Sequence, residues 1–443
     1  MFRAVICPAA IQVLALLAAL GAAAAWAGNC PDLDVPVGSP LHRDPRPAEL
    51  VAGLEVGPLR ERLEACLAAD PMPATRTIGH RGAPLYYPEH TRESYLAAAR
   101  LGASTLECDV TFTAEGDLVC RHDACDLHRT TNILETPLAS TCAEPFRPAL
   151  LEEGVVIRPA SARCCAAQLT TSEFLSLEGR HDRVNPAAEN VAQYLSTDPS
   201  LPSCLDRGKL LTHRDSIALF KDLGMAMAPE LKGPGVSMPF RGKSEADFAD
   251  QLVQDYREAG VAPERVWLQS FDPNIIQHWL ATGAEFGGRV VWLDGRYALD
   301  DFDHRDEEAL GAGFRSMKQQ GLQFVAPPLW MLVEAGVDGI VTSRYAVLAQ
   351  EAGLSLLSWT LERSGPLETG GGWYYQTLNG ANPLPASRSG FRIRRDADQL
   401  MLAQVLFEEI GVHAVFSDWP STTALTDTCL AAPLAGTQAD TKP

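Results

Sequence analysis

Eight short apolar runs recur along the chain, and most are separated by stretches with helical periodicity. They are "TIGH" (77–80), "TLECDV" (105–110), "MAMAPELK" (225–232), "RVWLQSF" (265–271), "RVVWLD" (289–294), "QFVAPP" (323–328), "LSLLSWTL" (354–361) and "HAVFSDWP" (413–420). Amphipathic segments such as "TRESYLAAARLGA" and "EADFADQLVQDYREAGV" lie between them. Buried strands alternating with helices predict a parallel sheet closed into a (β/α)8 TIM barrel. An open doubly wound sheet is the competing architecture, but no Gly-rich nucleotide-binding turn follows the first strand. A chain of 443 residues, 46% of them hydrophobic, can bury a core of that size.

One interval breaks the rhythm. From Thr111 to Met225, between the second and third barrel strands, lie a further strand ("DLVCRHD"), loop-rich text such as "RPASARCCAAQ", and six cysteines. That pattern predicts a long cysteine-rich insertion at about 123–212, on the loop side of the barrel. It is expected to be stapled by disulfides because it is too small for a core of its own. Residues 1–27 read as a secretory signal, with Arg3, the apolar run "VLALLAALGAAAA" and the small-x-small site Ala25-Trp26-Ala27. A lead-in segment (28–75), a barrel domain (76–425) and a C-terminal tail (426–443) complete the organisation. Of 11 cysteines, Cys7 falls in the signal. The ten others are an even number without Cys-x-x-Cys spacing, which in an exported chain favours disulfides over a zinc site. Their connectivity cannot be read from the sequence.

In such a barrel the chemistry gathers where strands end and βα loops begin. The first strand ends in His80, Arg81 and Gly82, and the last in Ser417-Asp418-Trp419-Pro420. On the second, side chains two apart share a face, so Glu107 and Asp109 project together, opposite Leu106, Cys108 and Val110. Two adjacent carboxylates repel unless a cation or a proton sits between them. By the same alternation Glu230 and Lys232 share a face at the end of the third strand. Any one pair could be an ion pair or a solvated edge. Three carboxylates, an imidazole, a guanidinium and an ammonium around one mouth are poorly explained by chance.

The text "IGHRGAPLYYPEHTRESYLAAARLGASTLECDVTFTAEGDLVCRHD", with "PELK", "LQSF", "SWT" and "FSDWP", resembles the glycerophosphodiester phosphodiesterases over most of residues 76–420. The resemblance implies that His80 and His122 are the catalytic pair, and that Glu107, Asp109 and Glu230 hold one divalent metal ion. It also implies that Arg81 and Lys232 contact the phosphate. Oxygen ligands without thiolates suit Ca²⁺ or Mg²⁺. The implied reaction uses the substrate's glycerol hydroxyl as nucleophile and releases glycerol 3-phosphate and an alcohol. One departure stands out: "PEHT" carries His90 where the family usually has Asn, which reads as a local change in helix capping. Trp359 and "GGGWYY" follow a barrel strand on the active face and are candidates for a substrate-binding wall or lid. His128 and His181 read as structural or surface residues.

A net charge of −19 excludes non-specific binding to nucleic acid or to anionic membranes. No stable membrane insertion is expected once the signal is cleaved, and the expected location is periplasmic or secreted. The expected partner is a small-molecule glycerophosphodiester. Two other functions are weighed: a phospholipase D-like relative on the same barrel acting on intact lipids, and a catalytically inactive binding protein.

Overall fold

The computed structural model describes residues 30, 33, 44–69, 74–196, 203–282, 285–363, 367–369, 371–380 and 391–431. The predicted signal, most of the tail, and parts of 364–390 lie outside the described residues. Eight parallel strands form the centre: β1 (Thr77–Gly79), β2 (Thr105–Phe112), β3 (Ala226–Leu231), β4 (Leu268–Ser270), β5 (Val290–Leu293), β6 (Phe324–Ala326), β7 (Ser355–Leu361) and β8 (Ala414–Ser417). Each pairs with its neighbour, and β1 pairs with both β8 and β2, which closes the barrel. Every predicted apolar run supplies one strand.

The barrel interior is layered. Ile78, Ala228, Trp267, Val291, Leu293, Ala326, Leu357 and Phe416 form an apolar plug. On β2 and β3 the strand residues that rise above it are carboxylates. Register makes this specific: Ala228 lies opposite Glu107, and Glu230 opposite Asp109. Side chains level across neighbouring strands stand about 5 Å apart. Two carboxylates are therefore brought together by pairing alone.

The helix Arg92–Arg100 explains the first motif. Thr91 caps it, its Oγ1 accepting from the Ser94 amide at 3.3 Å. Its alanine face lets it lie close on β1, where a Cβ on Gly79 would stand 2.9 Å from that of Ala98. Ser94 Oγ accepts from the Ala83 amide at 2.8 Å and donates to the Arg81 carbonyl at 3.2 Å. Gly82 has φ +96, and a side chain there would meet Ser94 Oγ at 2.4 Å. Only glycine fits the turn.

Between β2 and β3 lie a strand antiparallel to β2 (Leu118–Cys120) and three small two-stranded pairings. The segment does have a core of its own, contrary to expectation. Phe174, Leu177, Ile133, Leu169 and Tyr194 are buried together there, because its short helices and hairpins fold around one another. Helices Pro45–Gly53 and Pro58–Leu67 precede the barrel, and Pro420–Ala431 follows it. Asp44, before the first of them, accepts from Tyr86 Oη at 2.9 Å and Trp419 Nε1 at 3.0 Å. All ten cysteines outside the predicted signal form five disulfides: Cys30–Cys204, Cys66–Cys429, Cys108–Cys120, Cys125–Cys165 and Cys142–Cys164. Among the described residues no helix is long and apolar enough to cross a membrane.

Candidate active site

A cavity of about 520 Å³ opens at the C-terminal ends of the strands. His80, Arg81, Glu107, His122, Glu230, Lys232 and Trp359 all line it. Asp109 lies just beneath, 1% exposed. The sequence-derived residues, spread over 280 positions of chain, thus meet at one place.

Oxygens of Glu107, Asp109 and Glu230 lie within 4.8 Å of one another. Burial pushes the Glu107 carboxyl well above its usual range, and its acidic neighbours Asp109 and Glu230 add to the rise. Burial likewise lifts Glu230, to about 8, against the pull of Lys232. Asp109 goes the other way. Burial favours its neutral form, but Lys232, His90 and His122 outweigh that and hold it well below the ordinary value. Lys232 Nζ is 2.6 Å from Glu230 Oε1 and 3.9 Å from Asp109 Oδ1. Asp109 Oδ1 is buried without a hydrogen-bond donor. An orphaned carboxylate oxygen costs on the order of 1–3 kcal/mol or more. Three crowded carboxylates, one with a spare buried oxygen, fit a hard divalent cation.

The cationic residues are tethered. Arg81 adopts a left-handed backbone, φ +57, from which its amide donates to Glu107 Oε2 at 2.8 Å. Its guanidinium bonds Glu89 Oε2 at 3.0 Å and approaches Asp109 Oδ2 at 3.6 Å. His80 Nδ1 faces Asp418 Oδ1 at 2.5 Å, which leaves Nε2 directed into the site, 3.8 Å from Glu107 Oε2. Burial lowers the His80 pKa more than Asp418 raises it, and Arg81 and Arg363 lower it further. His122 is also lowered, well below the usual value, by burial and by the charges of Arg81 and Lys232. Both imidazoles are therefore neutral near pH 7.

His90 corrects the sequence reading. It does not cap the helix; Thr91 does. His90, at φ +56 and fully buried, places Nε2 2.8 Å from Asp109 Oδ2 and Nδ1 2.8 Å from Tyr95 Oη. It braces a site carboxylate. His181 is buried against Ser203 Oγ at 3.1 Å, and the His128 ring stacks on Tyr194, both away from the carboxylates.

Further residues join the site. The sequence carries Glu89 within the "PEHT" motif and Asp418 at the end of the last strand, but local pattern gives neither a role. Arg363, whose Nη1 is 3.1 Å from Asp418 Oδ2 and Nη2 3.6 Å from Glu89 Oε2, had no signal. Nor had Arg129 and Asp182, which reach the cavity from the segment between β2 and β3. Opposite the charged groups, Phe271, Tyr297, Trp359, Trp373 and Tyr374 form an aromatic wall. Trp359 Nε1 donates to the Ala326 carbonyl at 2.8 Å, and its ring stacks near Trp373 with centroids 5.9 Å apart.

Known proteins resemble the chain in both sequence and fold. The model of the glycerophosphoryl diester phosphodiesterase family matches residues 80–422. An extracellular protein of Arthroderma benhamiae is 35% identical over 257 residues, covering 56% of this chain and 98% of its own length. A glycerophosphodiester phosphodiesterase of Bacillus subtilis is 46% identical over 141 residues, 30% of this chain and 47% of its own. A solved structure from Silicibacter pomeroyi, described as a candidate glycerophosphoryl diester phosphodiesterase, shares the fold with a TM-score of 0.51 at 19% identity. It covers 81% of this chain and 96% of that one.

Proposed function

The chain belongs to the glycerophosphoryl diester phosphodiesterase family and hydrolyses glycerophosphodiesters, and from that premise we propose that His80 and His122 are its acid–base pair. The observation that carries the reading is convergence: two imidazoles, two cations and three carboxylates around one cavity.

His80 is suited to proton transfer because Asp418 holds Nδ1, which sets the tautomer and leaves Nε2 facing the substrate. A neutral imidazole accepts the proton of the glycerol hydroxyl as that oxygen attacks phosphorus. The bond from phosphorus to the alcohol breaks. The second imidazole, which takes up a proton from solvent as the anionic phosphodiester enters, donates that proton to the departing oxygen while the first ring keeps the one taken from the hydroxyl. Opening of the cyclic phosphate by water then gives glycerol 3-phosphate, the two histidines exchanging roles.

Glu107, Asp109 and Glu230 would hold a divalent ion, Ca²⁺ or Mg²⁺. When bound, such an ion supplies charge neutralisation at the phosphoryl oxygens. Lys232 remains cationic, since Glu230 and Asp109 outweigh the effect of its burial, and it lines the same cavity, where it could bind a phosphoryl oxygen. Arg81 is occupied by Glu89 and Asp109, so it orients the carboxylates as much as it offers charge. The five disulfides support a working place outside the reducing cytoplasm, periplasmic or secreted.

Turnover of glycerophosphocholine, followed by phosphorus NMR, tests the whole reading. Exhaustive chelation should abolish it, and Ca²⁺ or Mg²⁺ should restore it; the metal-loaded protein should also melt higher. A transient cyclic phosphate is expected. Full activity in a metal-free sample would overturn the carboxylates' assignment. Faster turnover of an intact phospholipid would instead favour the lipid-cleaving alternative, for which the aromatic wall would be the recognition surface.

A further inference from the structure

His122 and His80 are held differently. Among the described residues nothing hydrogen-bonds the His122 imidazole, so its direction follows from its main chain. That main chain is pinned on both sides. His122 stands two residues after Cys120, which is bonded to Cys108, and three before Cys125, which is bonded to Cys165. Resting on the assignment of His122 above, we propose that these two disulfides are positioning elements for His122.

The first bridge reaches directly into the site. Cys108 lies between Glu107 and Asp109 on the outward face of β2, and Cys120 ends the antiparallel strand Leu118–Cys120, with Val110 as its register partner. Immediately after it the Arg121 amide donates to the Asp109 carbonyl at 2.8 Å. The carboxylates and the approach to His122 are thus joined by one covalent link and one hydrogen bond. The second bridge secures the exit. The Ala166 amide donates to the Ala124 carbonyl at 2.8 Å, and that of Leu127 to the Cys164 carbonyl at 3.2 Å. A Cβ on Gly235 would lie 3.1 Å from Cys125 Sγ and 2.6 Å from the Cβ of Ala124, so the loop that follows Lys232 packs on this bridge. Arg163 Nη2 donates to the Gly235 carbonyl at 2.8 Å from the same side. The remaining three bridges do not bracket His122.

Removing either bracket should misplace the ring while the other bridges keep the fold. A displacement of about 1 Å can cost on the order of 100-fold in rate. The test uses the full oxidised chain and the paired variants Cys108→Ala/Cys120→Ala and Cys125→Ala/Cys165→Ala. The expected result is a kcat lower by roughly 100-fold with little change in KM. The same pairs made in a His122→Ala background should lower its residual kcat no further, because their effect passes through a ring already gone. Wild-type kcat in both folded pairs, or losses that add fully to that of His122→Ala, would overturn the inference. If one pair does not fold, the other carries the same test. A His122→Ala variant with normal turnover would instead sink the acid–base assignment, a result distinct from either.

Discussion

The two histidines of this site face one cavity from opposite supports. His80 ends a barrel strand and is steered through its side chain by Asp418, itself paired with Arg363. His122 lies beyond the barrel strands, where a segment with its own small core begins, and is steered through its backbone by Cys120 and Cys125. A strand inside a closed barrel has its direction set by hydrogen bonds on both edges, so only the ring needs a partner. A loop lacks that frame, and covalent links replace it. The first support responds to charge, the second to redox state.

The largest effect should fall on both alike. His80→Ala and His122→Ala are each expected to lower kcat by about 100- to 10,000-fold with an unchanged circular dichroism spectrum. A variant that keeps more than about a tenth of the activity would remove its residue from the acid–base pair.

Next comes the orienting shell on the His80 side. Asp418→Asn should cost roughly 10- to 100-fold, the usual penalty for losing a partner that orients a site residue. Arg363→Met, one contact further out, should cost less. Equal sensitivity of the two variants would mean that Arg363 touches the substrate itself.

Stability divides the supports in another way. Breaking Cys66–Cys429, which joins the lead-in helix to the helix after β8, should lower stability by about 2–5 kcal/mol. The kcat of the folded fraction should stay as it was, because neither cysteine of that bridge lines the cavity. Chemical denaturation with parallel assays would reveal any coupling, and a fall in kcat would blur the distinction between structural and positioning bridges.

The smallest expected effect is a pH dependence on the His122 side. Burial holds His128 and His181 at about 4, against 6.5 unfolded. Their contribution to stability is complete above pH 6.5 and declines as pH falls towards about 4, because only the unfolded chain takes up these protons in that window. Asp126, pushed by burial up to about 7, works in the opposite direction, its contribution present below 3.8 and lost as pH rises through 7. Comparing melting temperatures of His181→Phe and wild type between pH 4 and 7 isolates the first effect. The variant's curve should be flatter; parallel curves would show that His181 does not carry it.

The barrel and most of its site were legible because strand alternation and the apolar runs are local properties. Period-two spacing alone put Glu107 beside Asp109 and Glu230 beside Lys232. The clustering of His80 and the carboxylates at strand ends then followed from the architecture. Local text could not carry the pairing of ten cysteines, the small core around Phe174 and Tyr194, or the bond from His90 to Asp109. Arg363, Arg129 and Asp182 join the cavity from loops without periodicity, so nothing in their neighbours marked them. The sequence by itself determined which charged groups share a face at the strand ends, since spacing fixes that, and its family resemblance implied His122 as the second imidazole. The tertiary structure alone decided what holds each of them still, because a hydrogen bond or disulfide between distant residues depends on where the whole chain brings its backbone.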